Sequence, residues 1–154
     1  MNSARAEVEI IRLRPREVLQ ASGRLVKVQR RAYRVEAAFI DDHRIPQLTE
    51  SAEKLSAAEL NWHVALTGSA IIAAIAYTDT GPSLEVDRLF VEPSWHRLGL
   101  ARRLILSLDS KPIDVSTGRE NQPARRLYES LGFSHLGNAE ALPGLWLSQY
   151  RRPR

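Results

Sequence analysis

The stretch that most narrows what this chain can fold into runs from Leu89 to Leu104 and reads LFVEPSWHRLGLARRL. Leu89 and Val91 alternate as in a strand, Pro93 stops it, and from Gly99 the apolar residues Leu100, Leu104 and Leu108 recur at helical spacing, with Ala101 and Ile105 beside them. A strand that enters a helix through a short glycine loop aims the free N–H groups of the first turn, and the positive end of the helix dipole, at one point. A glycine there lets an anion approach the main chain, and Arg97 and Arg102 add mobile positive charge. Taken alone, the stretch fits either a phosphate site or a basic helix start facing solvent.

The periods on either side place this unit in a larger order. Glu7 to Arg14 alternates charged and apolar residues as a first strand, and Pro15 suits the opening turn of a helix. Val18, Leu25, Val28 and Ala32 carry that helix through Tyr33, and a second helical piece follows over Val35 to Ile40. Asp41 to Glu53 reads as a loop broken by Pro46, with a short helix starting near Ser51. His63 to Thr67 and Ala70 to Thr78 then form a hairpin about Thr67-Gly68-Ser69, and Leu84 to Val91 is the next strand after the turn at Asp79-Thr80-Gly81-Pro82. Beyond the glycine unit come a short strand at Ile113 to Ser116, a helix from Pro123 to Leu131 ended by Gly132, and two short strands around Pro143-Gly144. The expected class is α+β, a mixed, mostly antiparallel sheet flanked by helices, in one domain over residues 1–154.

Composition enters as a set of exclusions. The chain has 44% apolar and 26% charged residues, so a folded globular class is expected rather than disorder. The longest apolar run, near Ala70 to Tyr77, is strand-sized, so no membrane partner is expected. Met1 to Arg16 lacks the continuous apolar stretch of a secretion signal, and with no cysteine present the expected location is cytoplasmic. The four histidines show no ligand spacing, so no metal is expected. The net charge of +4 comes from arginines clustered at 24–34, 97–103 and 151–154, which suits either nucleic acid or a small polyphosphate.

The motifs decide between those partners. Leu89, Val91, Pro93, Gly99 and Ala101 resemble the cofactor motif of the GNAT family of N-acetyltransferases, with His96 standing where that family usually has Gln or Arg. Asn121-Gln122-Pro123-Ala124-Arg125-Arg126-Leu127-Tyr128 through Gly132-Phe133 is similar to the family's second motif, in the family's order. The resemblance implies a GNAT fold with acetyl-CoA as co-substrate. It further implies that the main chain of Leu89, Phe90 and Val91 pairs with the pantetheine arm, and that Arg97, Leu98, Gly99, Leu100, Ala101 and Arg102 wrap the pyrophosphate. Asn121 would hydrogen-bond the pantetheine, Tyr128 would protonate the leaving thiolate, and Arg125 or Arg126 would reach the adenosine phosphate. Asn121 as a helix cap and Tyr128 as a core residue are the competing structural readings.

Acetyl transfer also needs a neutral amine, hence a base or a water relay. Strand alternation puts Glu85 and Asp87 on the face of Leu89 and Val91, and the family resemblance implies Glu85 as the base, with Asp87 and Asp114 as substitutes. Glu36, Asp41, Asp42 and Glu50 lie in the region expected to shape the acceptor pocket, where acidic groups attract a cationic amine. The expected reaction is direct attack of a primary amine, of a small molecule or peptide, on acetyl-CoA in a ternary complex. A homodimer is compatible with this reading. The competing classes are a non-catalytic acyl-CoA-binding module, against which Tyr128 argues, and a nucleic-acid-binding protein, disfavoured because the arginines fall on helix faces and the tail.

Overall fold

The computed structural model describes residues 7–108 and 110–154; the segment Met1 to Ala6, part of the stretch read above for a secretion signal, lies outside them. β1 (Glu9–Leu13) leads into α1 (Pro15–Ile40), followed by a 3-10 turn at Pro46–Leu48 and α2 (Ala52–Ala57). Then come β2 (Asn61–Thr67), β3 (Ala70–Asp79), β4 (Leu84–Val91), α3 (Leu100–Leu106), β5 (Ile113–Gly118), α4 (Gln122–Ser130), β6 (Ser134–Leu142) and β7 (Leu145–Arg152). Among the described residues seven strands form one sheet in the order β1-β2-β3-β4-β5-β7-β6, and the β4–β5 pair is its parallel element. A parallel pair needs a crossover, and α3 supplies it.

Two expectations change. The helical pieces expected on either side of Arg34 are one helix of 26 residues, because no proline interrupts them and Tyr33 and Ala37 continue the buried stripe of Val18, Ala21, Leu25, Val26 and Val28. The final strands are long rather than short: β6 is almost wholly exposed, so it carries little apolar signal, and its register comes from β7, which pairs with β5 on its other edge. The helix near Ser51 forms as expected, with the Ser51 hydroxyl accepting the Lys54 N–H at 3.1 Å.

The sheet separates two cores. One, under α1 and α2, gathers Leu25, Ala37, Leu55, Trp62 and Phe90; the other, under α3 and α4, gathers Leu104, Ile105, Ile113, Tyr128, Phe133 and Tyr150. β4 borders both, because its side chains alternate between the faces. That alternation is not continuous. Ala76 pairs with Arg88 and Tyr77 with Val86, so Asp87 is an extra residue, a β-bulge that shifts the facing of the strand by one. Leu84 and Val86 therefore join Leu89 and Val91 in the α3 and α4 core, which corrects the expectation that Glu85 and Asp87 share the face of Leu89 and Val91.

β4 and β5 pair only at Leu84–Ile113 and Glu85–Asp114 and then diverge, β5 continuing along β7 to Gly118. The C-terminal end of α1 packs on the far end of β5, where Ile40 Cγ2 lies 2.5 Å from the place a Cβ would take on Gly118. Gly118→Ala must therefore displace a β-branched side chain, at about 1–3 kcal/mol. Chemical denaturation of Gly118→Ala, Ile40→Ala and the double variant checks this: the cost of the alanine at 118 should largely vanish in the Ile40→Ala background, and strictly additive costs would show that this contact does not limit position 118.

Candidate active site

Where β4 and β5 diverge, the sheet opens and two cavities meet. The first, about 530 Å3, lies between the end of β4, the start of α3, α4 and the middle of α1. The second, about 420 Å3, lies between the end of α1, the loop after it, β5 and the β6–β7 hairpin. Tyr33, Glu36, Leu89 and Tyr128 line both, so they mark the junction.

The first cavity has a free sheet edge and, at its rim, the glycine loop that enters α3. From Val86 to Val91 the β5-side edge of β4 has no strand beside it among the described residues, so its peptide groups are open to an extended ligand. The loop beyond is held by Arg31, whose Nε donates to both Glu92 carboxylate oxygens at 2.8 and 3.0 Å, and by a His96 Nε2 contact of 3.2 Å to the Val91 carbonyl oxygen. Arg97 has φ 65° and Gly99 φ 76°, both left-handed, and Gly99 precedes the first turn of α3. A non-glycine residue in that region costs about 1 kcal/mol or more, a strain that recurs at ligand-binding loops. A Cβ on Gly99 would meet nothing within 4 Å, so the space above that peptide is clear for a ligand.

The site residues expected from sequence divide clearly. Leu89, Phe90, Val91, Arg97, Ala101, Asn121 and Tyr128 all line the first cavity, and His96 and Arg126 join them. Leu98 and Arg102 are exposed beside it, while Leu100 turns its side chain into the core, leaving its backbone N–H as the group available to a ligand. Arg125 is committed elsewhere, donating to the Tyr150 hydroxyl at 2.9 Å and to the Arg119 carbonyl at 3.0 Å. Glu85 lines neither cavity; it is exposed on a separate surface depression with Asp114, and Asp114 is held by Arg151 through two bonds of 2.6 and 2.7 Å. Asp87 borders the second cavity and accepts from Arg88 Nε at 2.7 Å.

Glu36 is the acid at the junction. Its Oε1 accepts from Asn121 Nδ2 at 3.1 Å, while the Asn121 carbonyl oxygen accepts the Ala124 N–H at 3.3 Å and caps α4. Burial raises the Glu36 carboxyl above its ordinary value, opposed by the Asn121 hydrogen bond. Tyr128 is buried, its ring 5.4 Å from that of Phe133 and 5.8 Å from that of Tyr150. Burial first, then the nearby Glu36 carboxyl and Tyr150 phenol, push its phenol well above the ordinary range, so it stays protonated at neutral pH.

Sequence reasoning placed Glu36 only among acids near the acceptor. The signal for more was present: Glu36 follows Tyr33 by three and precedes Ile40 by four, so it shares their helix face. Arg88 was missed altogether. It is buried, bonded to Glu50 and, at 3.1 Å, to the buried Gln29 side chain, and lies over the Trp62 ring at 5.8 Å. Its position two residues before the buried Phe90 on the same strand face was the available clue.

The raised Glu36 pKa gives a stability signature. The folded state holds this proton more tightly than the unfolded chain, so the contribution is fully present below the unfolded value and is lost as pH rises through the folded one. Glu36→Gln keeps an oxygen for Asn121 and removes the ionisation. Its melting temperature should exceed the parent's at pH 8, and the gap should shrink on acidification; a constant gap from pH 4 to 8 would show that Glu36 does not titrate in the folded protein abnormally.

Comparison with known proteins agrees with this geometry. The chain is 30% identical over 131 residues to UPF0157 protein YqkA of Bacillus subtilis; the match takes in 82% of this chain but only 38% of that protein. Its fold superposes on the PaiA N-acetyltransferase of Thermoplasma acidophilum, solved in complex with coenzyme A, with a TM-score of 0.73 at 17% identity over 96% of this chain and 99% of that one. It also superposes on yncA from Salmonella typhimurium, solved with its cofactor acetyl-CoA, with a TM-score of 0.70 at 13% identity over 96% and 94%. The acetyltransferase (GNAT) domain family matches residues 58–135, a span that holds β4, the glycine loop, α3 and α4, and the chain accordingly belongs to the GNAT acetyltransferases.

Proposed function

We propose that this protein transfers the acetyl group of acetyl-CoA to a primary amine by direct attack in a ternary complex. The observation that carries the reading is the junction itself: a cavity with a free strand edge and an anion-binding rim opens, at Tyr128 and Glu36, into a second cavity. The residues fit the co-substrate. The open edge at Leu89 to Val91 would hold the pantetheine amides as an added strand, and the N–H groups of Leu100 and Ala101 with Arg97 would hold the pyrophosphate. Bound there, acetyl-CoA supplies an activated acyl group at the junction.

The chain's own groups manage protons. Glu36, rather than the distant Glu85, takes the proton of the incoming ammonium; a carboxyl raised by burial is nearer in pKa to an amine than an exposed one and is a better base once ionised. The neutral nitrogen attacks the thioester carbonyl, the C–N bond forms and the C–S bond breaks. Tyr128 donates to the sulfur as negative charge gathers there. Its high pKa makes full transfer uphill, so the hydrogen bond strengthens through the step and solvent completes the protonation.

Two measurements test this reading. Coenzyme A should raise the melting temperature by mass action, and Gly99→Asp, which tolerates the left-handed φ but sets a negative charge at the phosphate position, should weaken that binding at least tenfold. Unchanged affinity in folded Gly99→Asp would move the pyrophosphate elsewhere. Tyr128→Phe keeps the ring packing, so coenzyme A affinity should persist while turnover falls by about 10²–10⁴-fold. A variant that is less stable by about 1 kcal/mol yet turns over at the parent rate would return Tyr128 to a purely structural role.

A further inference from the structure

The second cavity has a chemistry of its own. Its volume of about 420 Å3 is that of a small-molecule site rather than a peptide groove. Its walls are largely apolar, with Ile40 and Ile45 on one side, Val115 on the floor strand, and Leu142, Leu145 and Leu147 on the hairpin opposite, interrupted by Gln47, Ser116 and Thr117. The other charged groups around it are bonded to one another, two carboxylates sharing the one guanidinium of Arg88. Asp87 and Glu50 both bind Arg88, and Arg44 binds Asp42. Glu36 is left as the carboxylate that faces the cavity with only a neutral amide, that of Asn121, as its partner among the described residues.

One acid bonded to no cation among the described residues, at the inner end of a largely apolar cavity, matches one cation on an apolar body. Resting on the acetyl-transfer reading above, we propose that the acceptor is a primary monoamine with a compact apolar body, an arylalkyl or branched alkyl amine, whose nitrogen meets Glu36 at the junction. The ammonium compensates the buried carboxylate, and the body removes apolar wall from water. A polyamine would carry a second cation past largely apolar walls whose nearest acids, Asp87 and Glu50, are already bonded to Arg88, and a peptide would bury more amide groups than the few polar side chains there, Gln47, Ser116 and Thr117, could bond. The reaction balances: the ammonium gives one proton to Glu36, the nitrogen loses a second after the C–N bond forms, the departing sulfur gains one, and one proton is released to solvent. The products are an N-substituted acetamide and coenzyme A.

The test uses the full chain with acetyl-CoA and follows thiol release with 2-phenylethylamine, isoamylamine, spermidine and a peptide with a free N-terminal alanine. The two apolar amines should exceed the others in kcat/KM by about tenfold or more. Leu142→Glu sets a carboxylate on the half-open wall, away from the junction and the coenzyme A cavity. It should raise KM for 2-phenylethylamine, leave its kcat nearly unchanged, and narrow the gap to spermidine. Faster turnover of spermidine or the peptide by the parent protein, or an unchanged KM in Leu142→Glu, overturns the proposal. Calorimetry with coenzyme A separates the two levels: binding without turnover of either apolar amine overturns this acceptor while leaving the cofactor site standing, whereas absence of binding removes the acetyl-transfer reading and this inference with it.

Discussion

The parting of β4 from β5 after two residue pairs is the feature on which the rest of the site depends. A continuous ladder would have tied the β4 peptide groups to a neighbour and closed the sheet between its two cores. The parting has local causes on both strands. In β4 the bulge at Asp87 breaks the register with β3 and increases the local twist. β5 keeps its full pairing with β7, from Ile113–Arg152 to Gly118–Leu147, and so follows the hairpin rather than β4. The opening exposes one strand edge, and joins cavities on both faces through Tyr33, Glu36, Leu89 and Tyr128.

The bulge has a second consequence, in the polar part of the α1 core. By shifting the facing of β4 it turns Arg88 toward α1, where a buried guanidinium needs every partner it can reach. Glu50, Asp87 and the Gln29 amide oxygen accept from it, and Gln29 in turn donates to Glu50 at 3.0 Å and to the Gln47 carbonyl at 3.2 Å. Removing one member would leave a buried charge uncompensated, which typically costs 3–5 kcal/mol, although such networks contribute little net stability against an apolar replacement. Their value is geometric. This one ties β4, α1 and the loop carrying Gln47 and Glu50, which borders the second cavity, into one unit.

Asn121 does two jobs with one side chain. Its carbonyl oxygen caps α4, which carries Tyr128, and its amide holds the carboxylate of Glu36 on α1. The residue that caps the helix carrying Tyr128 is thus bonded to Glu36 across the junction. Burial raises the pKa values of both Glu36 and Tyr128, and the Glu36 charge adds to the shift at Tyr128, so the protonated form of each is favoured at the junction.

How much of this was legible beforehand follows from the range of each interaction. The strand, glycine loop and α3, the capped α4 with Tyr128, and the α1 stripe all rest on contacts within a few residues, and those leave periodic and positional marks in a sequence. Membership of the GNAT family was readable from the same marks. The exposed β6 left no such mark, since its pairing is supplied by β7. The choice between Glu85 and Glu36 was beyond local reasoning for a definite reason: strand alternation assumes an unbroken period of two, and the bulge at Asp87 breaks it through pairing with β3. The bond between Glu36 and Asn121 spans 85 positions, and the ion pair of Arg88 with Glu50 joins β4 to the loop before α2, 38 positions away. By itself, then, the sequence determined the elements, their order and the cofactor motif; the tertiary structure alone decided that Glu36 rather than Glu85 stands with Tyr128 at the junction and what lines the second cavity, because those contacts form only once β4 and β5 have parted.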